Sequence, residues 1–212
     1  IICILNGLGH VDTLKEFVKE ENILIGVTLW TSGLGGPGVL KAYGSGKTEI
    51  KQVKEDNLAE TKGLIDRLNK AGLNMKYSDN TFQSIWHKAG LNCVLNMYCT
   101  LIDCNIGEYG SFKQNLELTR AVLNEVTAVA KAEGVEVNQE LVENNIENLF
   151  DPSTGGLHYP SLYQDMKNGR LTEIDYLNGA ISKLGKKHNI QTPVCDTVTL
   201  MIHAKEFIRG NK

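Results

Sequence analysis

The spacing of apolar positions along the chain changes at about residue 80. Before that point, short apolar runs alternate with polar turns, which is typical of an α/β unit. The runs IICIL (residues 1–5) and NILIGVTLW (residues 22–30) predict strands, and HVDTLKEFVKE between them predicts an amphipathic helix. Two further strands, at residues 39–43 and 47–53, are predicted to form a hairpin about the turn Gly44-Ser45-Gly46. The unit ends with a capped helix between Asn57 and Gly72 and a short strand at residues 73–77.

From residue 80 onward, the apolar spacing fits helices only. The predicted helices cover residues 81–102, 113–133, 138–150, 160–168, 172–188 and 193–208. We therefore predict two domains, residues 1–79 and residues 80–212, without a flexible linker between them. The fold class expected is an α/β part followed by an all-α domain, mainly helical.

Two glycine-rich strings imitate nucleotide-binding motifs. Residues 33–38 spell G-x-G-x-x-G, but Pro37-Gly38 leads into a predicted hairpin and not into a helix whose amino end could face a pyrophosphate. GSGKT at residues 44–48 resembles a P-loop, yet Lys41 stands where that pattern requires glycine. We interpret both strings as turns.

Composition narrows the classes of function. The formal net charge of −3 gives no broad positive field, which argues against a nucleic-acid partner. The five cysteines form no CxxC pair and no zinc-finger spacing with the histidines, so we expect reduced thiols, no metal and a cytoplasmic protein. No apolar run approaches the roughly 20 residues that cross a bilayer, so no membrane association is expected.

A polar stripe lies within the apolar helix predicted over residues 81–102. Lys88, Asn92 and Asn96 are four residues apart, so a helix places all three on one face. Partly buried polar groups of this kind require partners, as in a binding or catalytic site. The alternative is a solvated stripe on an ordinary amphipathic helix.

Four strings in the chain resemble the motifs of one enzyme family, in the same order. They are LNGLG at residues 5–9, IWHKAGLNCVLN at residues 85–96, PSLYQD at residues 160–165 and GRLTEIDYLNG at residues 169–179. They are similar to the Q-N-G-x-G turn, the W-x-K-x-x-x-N-x-x-x-N helix, the S-S-M-x-Q-D segment and the G-R-x-T-E-I-D-x-I-N-G signature of ketopantoate reductases. The resemblance implies the carboxy-terminal part of a Rossmann domain, followed by a helical domain like that of 6-phosphogluconate dehydrogenase.

The resemblance also implies a reaction. Members of this family reduce 2-dehydropantoate to pantoate with NADPH, in pantothenate and coenzyme A biosynthesis. Lys88 would be the proton donor, since its ammonium group is charged at neutral pH and can stabilise negative charge that develops on the substrate. Asn92 and Asn96 would orient the substrate by hydrogen bonds.

Three more residues receive roles by resemblance, each with a structural alternative. Asn6 would contact both cofactor and substrate, or it forms a simple Asn-Gly turn. Ser161 would bind the substrate carboxylate, or it caps a short helix. Glu173 would accept hydrogen bonds from cofactor hydroxyls, or it complements a helix dipole after Thr172.

Departures from the family pattern leave the substrate open. Met97-Tyr98-Cys99-Thr100 replaces the usual P-L-T-A after Asn96, and Ile106 stands where members often carry an asparagine before Gly107-Glu108, with Asn105 one position earlier. A reductase of another 2-oxo acid, or a helical dimerisation module without chemistry, therefore remains an alternative. A homodimer is compatible with a reductase and with a helical dimerisation module.

The chain begins inside an apolar run, which we interpret as a fragment without the family's first G-x-G-x-x-G motif. We expect such a fragment to bind NADPH poorly and to be inactive alone.

Overall fold

A computed structural model describes residues 1–28, 30–43 and 46–210. Their contacts divide them into two compact units. The first combines Ile1–Leu5 with Gly9–Ile85, and the second combines Asn6–Leu8 with the chain from Trp86 onward. The turn at residues 6–8 thus belongs with the second unit although its neighbours on both sides belong with the first.

The first unit contains six strands and two α-helices among the described residues. The strands are β1 (Ile2–Cys3), β2 (Leu24–Thr28), β3 (Thr31–Gly36), β4 (Val39–Tyr43), β5 (Thr48–Gln52) and β6 (Met75–Tyr77), and the helices are α1 (His10–Lys15) and α2 (Leu58–Lys70). Four strands form a mixed sheet in the order β1-β2-β5-β6, in which only β2 and β5 are antiparallel. Leu24, Ile50 and Ile65 form the core between this sheet and α2.

The predicted hairpin between residues 39–43 and 47–53 is wrong. β4 pairs with β3 across a turn at Pro37-Gly38, and β5 pairs with β2. Residues 44 and 45 of the predicted turn lie outside the described residues. The reason is burial: Thr48, Ile50 and Gln52 face the core on alternate positions of β5, whereas the first residues of β4 are exposed.

The second unit is helical throughout its described part. Its α-helices are α3 (Thr81–Ile102, which starts in the first unit), α4 (Ile106–Ser111), α5 (Asn115–Ala132), α6 (Gln139–Asn148), α7 (Ser161–Lys167), α8 (Asn178–Lys187) and α9 (Pro193–Gly210). None of the described helices is long and apolar enough to span a membrane.

Two features of this unit differ from the prediction. The helix expected over residues 172–188 is broken, because Leu177 leaves the helical region (φ −111°, ψ −107°) between a 3₁₀ turn at Ile174–Tyr176 and α8. The short helix α4 was not predicted. It begins with a capping box, in which Asn105 accepts from the Glu108 N–H at 2.8 Å and the Glu108 carboxylate accepts from the Asn105 N–H at 2.7 Å.

A buried carboxylate holds the start of α9. Glu125 lies on α5, is only 8% exposed, and accepts hydrogen bonds from the backbone N–H groups of Val194 and Cys195, both at 2.8 Å. These N–H groups have no partner inside their own helix, and the helix dipole favours a negative charge at this end. Glu125 therefore links α5 to the first turn of α9.

Candidate active site

The predicted polar stripe lies on α3, whose bounds agree with the sequence prediction. Asn96 is buried, at 5% exposure, and Lys88 and Asn92 are half-buried. The other faces of this helix enter the core through buried residues such as Trp86, Ala89 and Leu95. The stripe is therefore largely withdrawn from water, unlike a stripe on an ordinary surface helix.

Ser161 meets this stripe from a distant part of the chain. The Asn96 side-chain amide donates a hydrogen bond to the Ser161 hydroxyl oxygen, with an N–O distance of 3.3 Å. Ser161 is the first residue of α7, and Pro160 takes the cap position with no side-chain cap hydrogen bond. The serine hydroxyl is thus turned toward the asparagine rather than used as a helix cap.

Glu173 places a negative charge near Lys88. Burial lowers the pKa of the Lys88 ammonium group, and the Glu173 carboxylate acts in the opposite direction and raises it. Glu173 is half-buried and directly precedes the 3₁₀ turn at Ile174–Tyr176, so it does not belong to the first turn of an α-helix. The lysine is consequently easier to deprotonate than an exposed lysine, while a nearby anion limits that effect.

The turn that carries Asn6 is seated on the segment that follows Glu173. The Leu8 N–H donates to the Tyr176 carbonyl oxygen at 2.8 Å. Gly7 adopts φ +90°, and a Cβ atom added there would come within 2.8 Å of the Tyr176 Cβ and still closer to the Tyr176 carbonyl oxygen. Only glycine fits this contact, so the Asn-Gly turn serves to bring Asn6 close to the Glu173 segment.

We expect Gly7→Ala to lower the free energy of unfolding by about 2 kcal/mol, from backbone strain and steric conflict together. Urea denaturation measures this effect. Gly9→Ala is the matched control, because Gly9 has nearly the same φ of +88° but nothing within 4 Å of an added Cβ. Equal losses in the two variants would show that the contact with Tyr176 contributes nothing.

Near residue 106 the chain departs from the family pattern, and the structure shows what Asn105 and Ile106 contact. Ile106 is buried at 5% exposure, and its backbone N–H donates to the His158 carbonyl oxygen at 3.1 Å. The Asn105 side chain caps α4, so its amide oxygen is already engaged. Neither residue therefore supplies a free amide in the way that the family's asparagine would.

For one buried polar residue of the string GRLTEIDYLNG, no role was predicted from the sequence. Asn178 is fully buried, and its side-chain amide donates to the Cys93 carbonyl oxygen of α3 at 3.2 Å. It therefore ties α3 to the start of α8. Its place in the GRLTEIDYLNG string was the available signal, but burial could not be inferred from that. Among the described residues, no cluster of His, Cys, Asp and Glu could hold a metal ion.

Together these observations describe a helical unit in which a half-buried lysine, two amides, a serine and a glutamate come from three separated segments. Comparison with known proteins shows the family to which this chain belongs. Residues 80–206 match the family described as ketopantoate reductase PanE/ApbA C terminal, and residues 1–55 match that described as ketopantoate reductase PanE/ApbA. The chain belongs to the ketopantoate reductase family. This confirms the predicted family and the predicted fold class.

Individual relatives agree with this assignment. The 2-dehydropantoate 2-reductase of Lactococcus lactis subsp. lactis is 46% identical over 207 residues, which are 97% of this chain and 66% of that protein. That of Streptococcus pyogenes serotype M6 is 41% identical over 210 residues, 98% of this chain and 67% of that protein. The chain thus spans about two thirds of the length of these relatives.

A solved structure of a differently named enzyme is also very similar. The ternary structure of a D-mandelate dehydrogenase with NADH and anilino(oxo)acetate has a TM-score of 0.92 and 46% sequence identity. The match covers 99% of this chain and 68% of that one.

Proposed function

We propose that the full-length protein reduces the C2 carbonyl of a 2-oxo acid with a reduced nicotinamide cofactor, and that 2-dehydropantoate is the substrate and pantoate the product. The observation that carries the proposal is the convergence of Asn96 with Ser161 on the helix face that also bears Lys88. The identity to 2-dehydropantoate 2-reductases over nearly the whole chain supports it. In cells this reaction would serve pantothenate and coenzyme A biosynthesis in the cytoplasm.

Lys88 is the proposed proton donor. When a hydride reaches C2, the carbonyl oxygen gains negative charge and must take up a proton, which the Lys88 ammonium group can give. Burial lowers the pKa of this lysine, and that brings its proton affinity closer to the value at which transfer is efficient at neutral pH. The neutral amine would then recover its proton from solvent.

Asn92, Asn96, Ser161 and Asn6 are proposed to hold the substrate. Amide and hydroxyl groups can bind a carboxylate and a carbonyl oxygen by hydrogen bonds, and of these four residues Asn96 is buried. Asn96 and Ser161 already lie within hydrogen-bonding distance of each other, so a carboxylate could be shared between them. Asn92 lies one helical turn from Lys88 and one from Asn96.

Glu173 is proposed to accept hydrogen bonds from hydroxyl groups of the cofactor, with Asn6 beside it. A half-buried carboxylate that accepts only is suited to paired hydroxyls, and the cofactor supplies the hydride when bound. The family resemblance favours NADPH. The D-mandelate dehydrogenase neighbour was solved with NADH, so the choice between the two cofactors is part of the test.

A second substrate class is favoured by a specific observation. The D-mandelate dehydrogenase neighbour, solved with anilino(oxo)acetate, a phenyl-bearing oxoacetate amide, has the same 46% identity to this chain as the Lactococcus relative has. An apolar 2-oxo acid is therefore the alternative to 2-dehydropantoate.

Steady-state kinetics on the full-length chain would decide between them. We expect kcat/KM for 2-dehydropantoate to exceed that for benzoylformate by at least about tenfold, which corresponds to one lost hydrogen bond of roughly 1.4 kcal/mol. Each substrate is assayed with NADH and with NADPH. The reverse ranking would assign the apolar class, and no turnover with any 2-oxo acid would favour a helical module without chemistry. The homodimer stays a prediction.

A further inference from the structure

Three charged side chains near the end of α9 contact the backbone of the segments that carry the proposed site. The Lys205 ammonium group donates to the carbonyl oxygens of Thr100 and Leu101, in the last turn of α3. Glu206 and Arg209 make the other two contacts. Because α9 carries all three side chains, it joins segments that are far apart in sequence.

The Arg209 and Glu206 contacts reach the other two segments. The Arg209 guanidinium donates to the Met166 carbonyl oxygen at 2.9 Å, at the end of the helix that starts with Ser161. The Glu206 carboxylate accepts from the Thr172 N–H at 2.8 Å, one residue before Glu173. The last two turns of α9 are thus linked to the segments of Lys88, Ser161 and Glu173.

The Glu206 contact holds the backbone directly before Glu173. Two residues after Thr172, the Ile174 N–H makes only a long hydrogen bond of 3.4 Å to the Thr172 hydroxyl, and the Glu173 carbonyl oxygen accepts from the Tyr176 N–H at 3.0 Å. Leu171, on the other side, is strongly exposed and contributes little packing. A charge-assisted hydrogen bond to Thr172 is therefore a major restraint on the backbone that leads into Glu173.

We propose that Glu206 is a positioning residue for the reductase site: by holding the Thr172 N–H, it keeps the Glu173 carboxylate beside Lys88. This inference rests on the proposed function, in which Glu173 binds the cofactor and Lys88 donates the proton. Lys205 completes the connection, since it attaches the same turn of α9 to the helix that carries Lys88. The separation of lysine and glutamate is then set by one rigid helix.

The test compares Glu206→Ala with Glu206→Gln in the full-length chain. Loss of the acceptor should let Glu173 move away from Lys88, which weakens cofactor binding and removes the influence that raises the lysine pKa. We expect the Kd for the reduced cofactor to rise about tenfold, as for one lost hydrogen bond. The alkaline limb of the kcat profile should move to lower pH, because the anion that raises the lysine pKa is displaced. Glutamine keeps an acceptor oxygen and should restore most of both properties.

Glu133→Gln is the control for a general loss of stability. Glu133 pairs with Lys187 at 2.8 Å between the ends of α5 and α8, so its replacement weakens the fold without touching Thr172. It should leave the cofactor Kd and the pH profile unchanged. Amide hydrogen exchange at Thr172, which should become faster only in Glu206→Ala, reports the bond directly and needs no activity.

The outcomes separate the two proposals. If Glu206→Ala lowers the melting temperature but leaves the cofactor Kd and the pH limb as in the wild type, the positioning role is refuted, whatever the enzyme does. If the wild type reduces no 2-oxo acid, the proposed function fails. If amide hydrogen exchange at Thr172 is as slow in Glu206→Ala as in the wild type, the Glu206 side chain does not restrain the Thr172 backbone, and this result is independent of activity.

Discussion

Replacement of Lys88 by alanine is expected to lower kcat about a thousandfold, within the range that a general acid contributes. The physical reason is that no other proton donor would stand beside the reacting carbonyl, and that the positive charge which stabilises the developing oxyanion is lost as well. Binding of the reduced cofactor, measured by its fluorescence, should remain within about threefold of the wild type, a change below about 1 kcal/mol. The initial rate of 2-oxo acid reduction is the measurement.

The variant Lys88→Arg distinguishes the effect of the positive charge from the effect of proton donation. Arginine keeps the positive charge but does not release a proton in the accessible pH range, so this variant should also be slow. Lys131→Ala is the control, because Lys131 is an exposed lysine in the last turn of α5. Turnover of Lys88→Ala equal to that of Lys131→Ala would eliminate the proton-donor role.

The same lysine sets the direction of the pH dependence. In the proposed mechanism the protonated amine is the active form, so kcat should fall as the pH rises through the lysine pKa in the complex. Because burial lowers the pKa of Lys88, this fall should begin below the ordinary lysine value of about 10.4. A rate that stays constant up to that value would show that another group donates the proton.

Replacement of Glu125 by alanine is expected to cause the largest loss of stability, about 3 to 4 kcal/mol. The change removes two hydrogen bonds to a charged acceptor, each contributing about 1.5 kcal/mol or more, and leaves the partly buried Val194 N–H and the buried Cys195 N–H without this partner. The favourable interaction with the amino end of α9 disappears too. Urea denaturation followed by circular dichroism measures the free energy of unfolding.

Two companion variants sharpen this test. Glu125→Gln retains one acceptor oxygen and should lose roughly half as much stability, since its NH₂ group cannot accept the second bond. Glu117→Ala changes an exposed glutamate in the first turn of the same helix and should stay within about 0.5 kcal/mol of the wild type. If Glu125→Ala behaved like Glu117→Ala, the link between α5 and α9 would have no energetic role.

Helices were predicted correctly where residues close together in the sequence determine them. The predicted bounds of α3 agree with the structure, and the start of α2 follows from Asn57, which does cap the helix by accepting from the Glu60 N–H at 3.3 Å. The helix break at Leu177 was missed because the 3.6-residue apolar pattern continues across it. A backbone turn at one residue leaves the spacing of side chains nearly unchanged.

Strand pairing could not be read from the chain. Residues 39–43 and 47–53 look like the two arms of one hairpin, but only the burial of Ile50 against Leu24 and Ile65 determines that the second strand joins the main sheet. Strand neighbours depend on which apolar face finds a core, and local propensity carries no information about that choice.

For the site, the sequence by itself determined that Lys88, Asn92 and Asn96 share one face of a helix, because a regular helix fixes the relation between positions four residues apart. It also determined the family, through motifs in a fixed order. Only the tertiary structure decided that Ser161 meets Asn96, that the Gly7 turn rests on Tyr176, and that Lys88 is half-buried with Glu173 nearby. These relations join segments up to 170 positions apart and depend on how the helices pack, and the loss of water around the lysine, which shifts its pKa, exists only once that packing is complete.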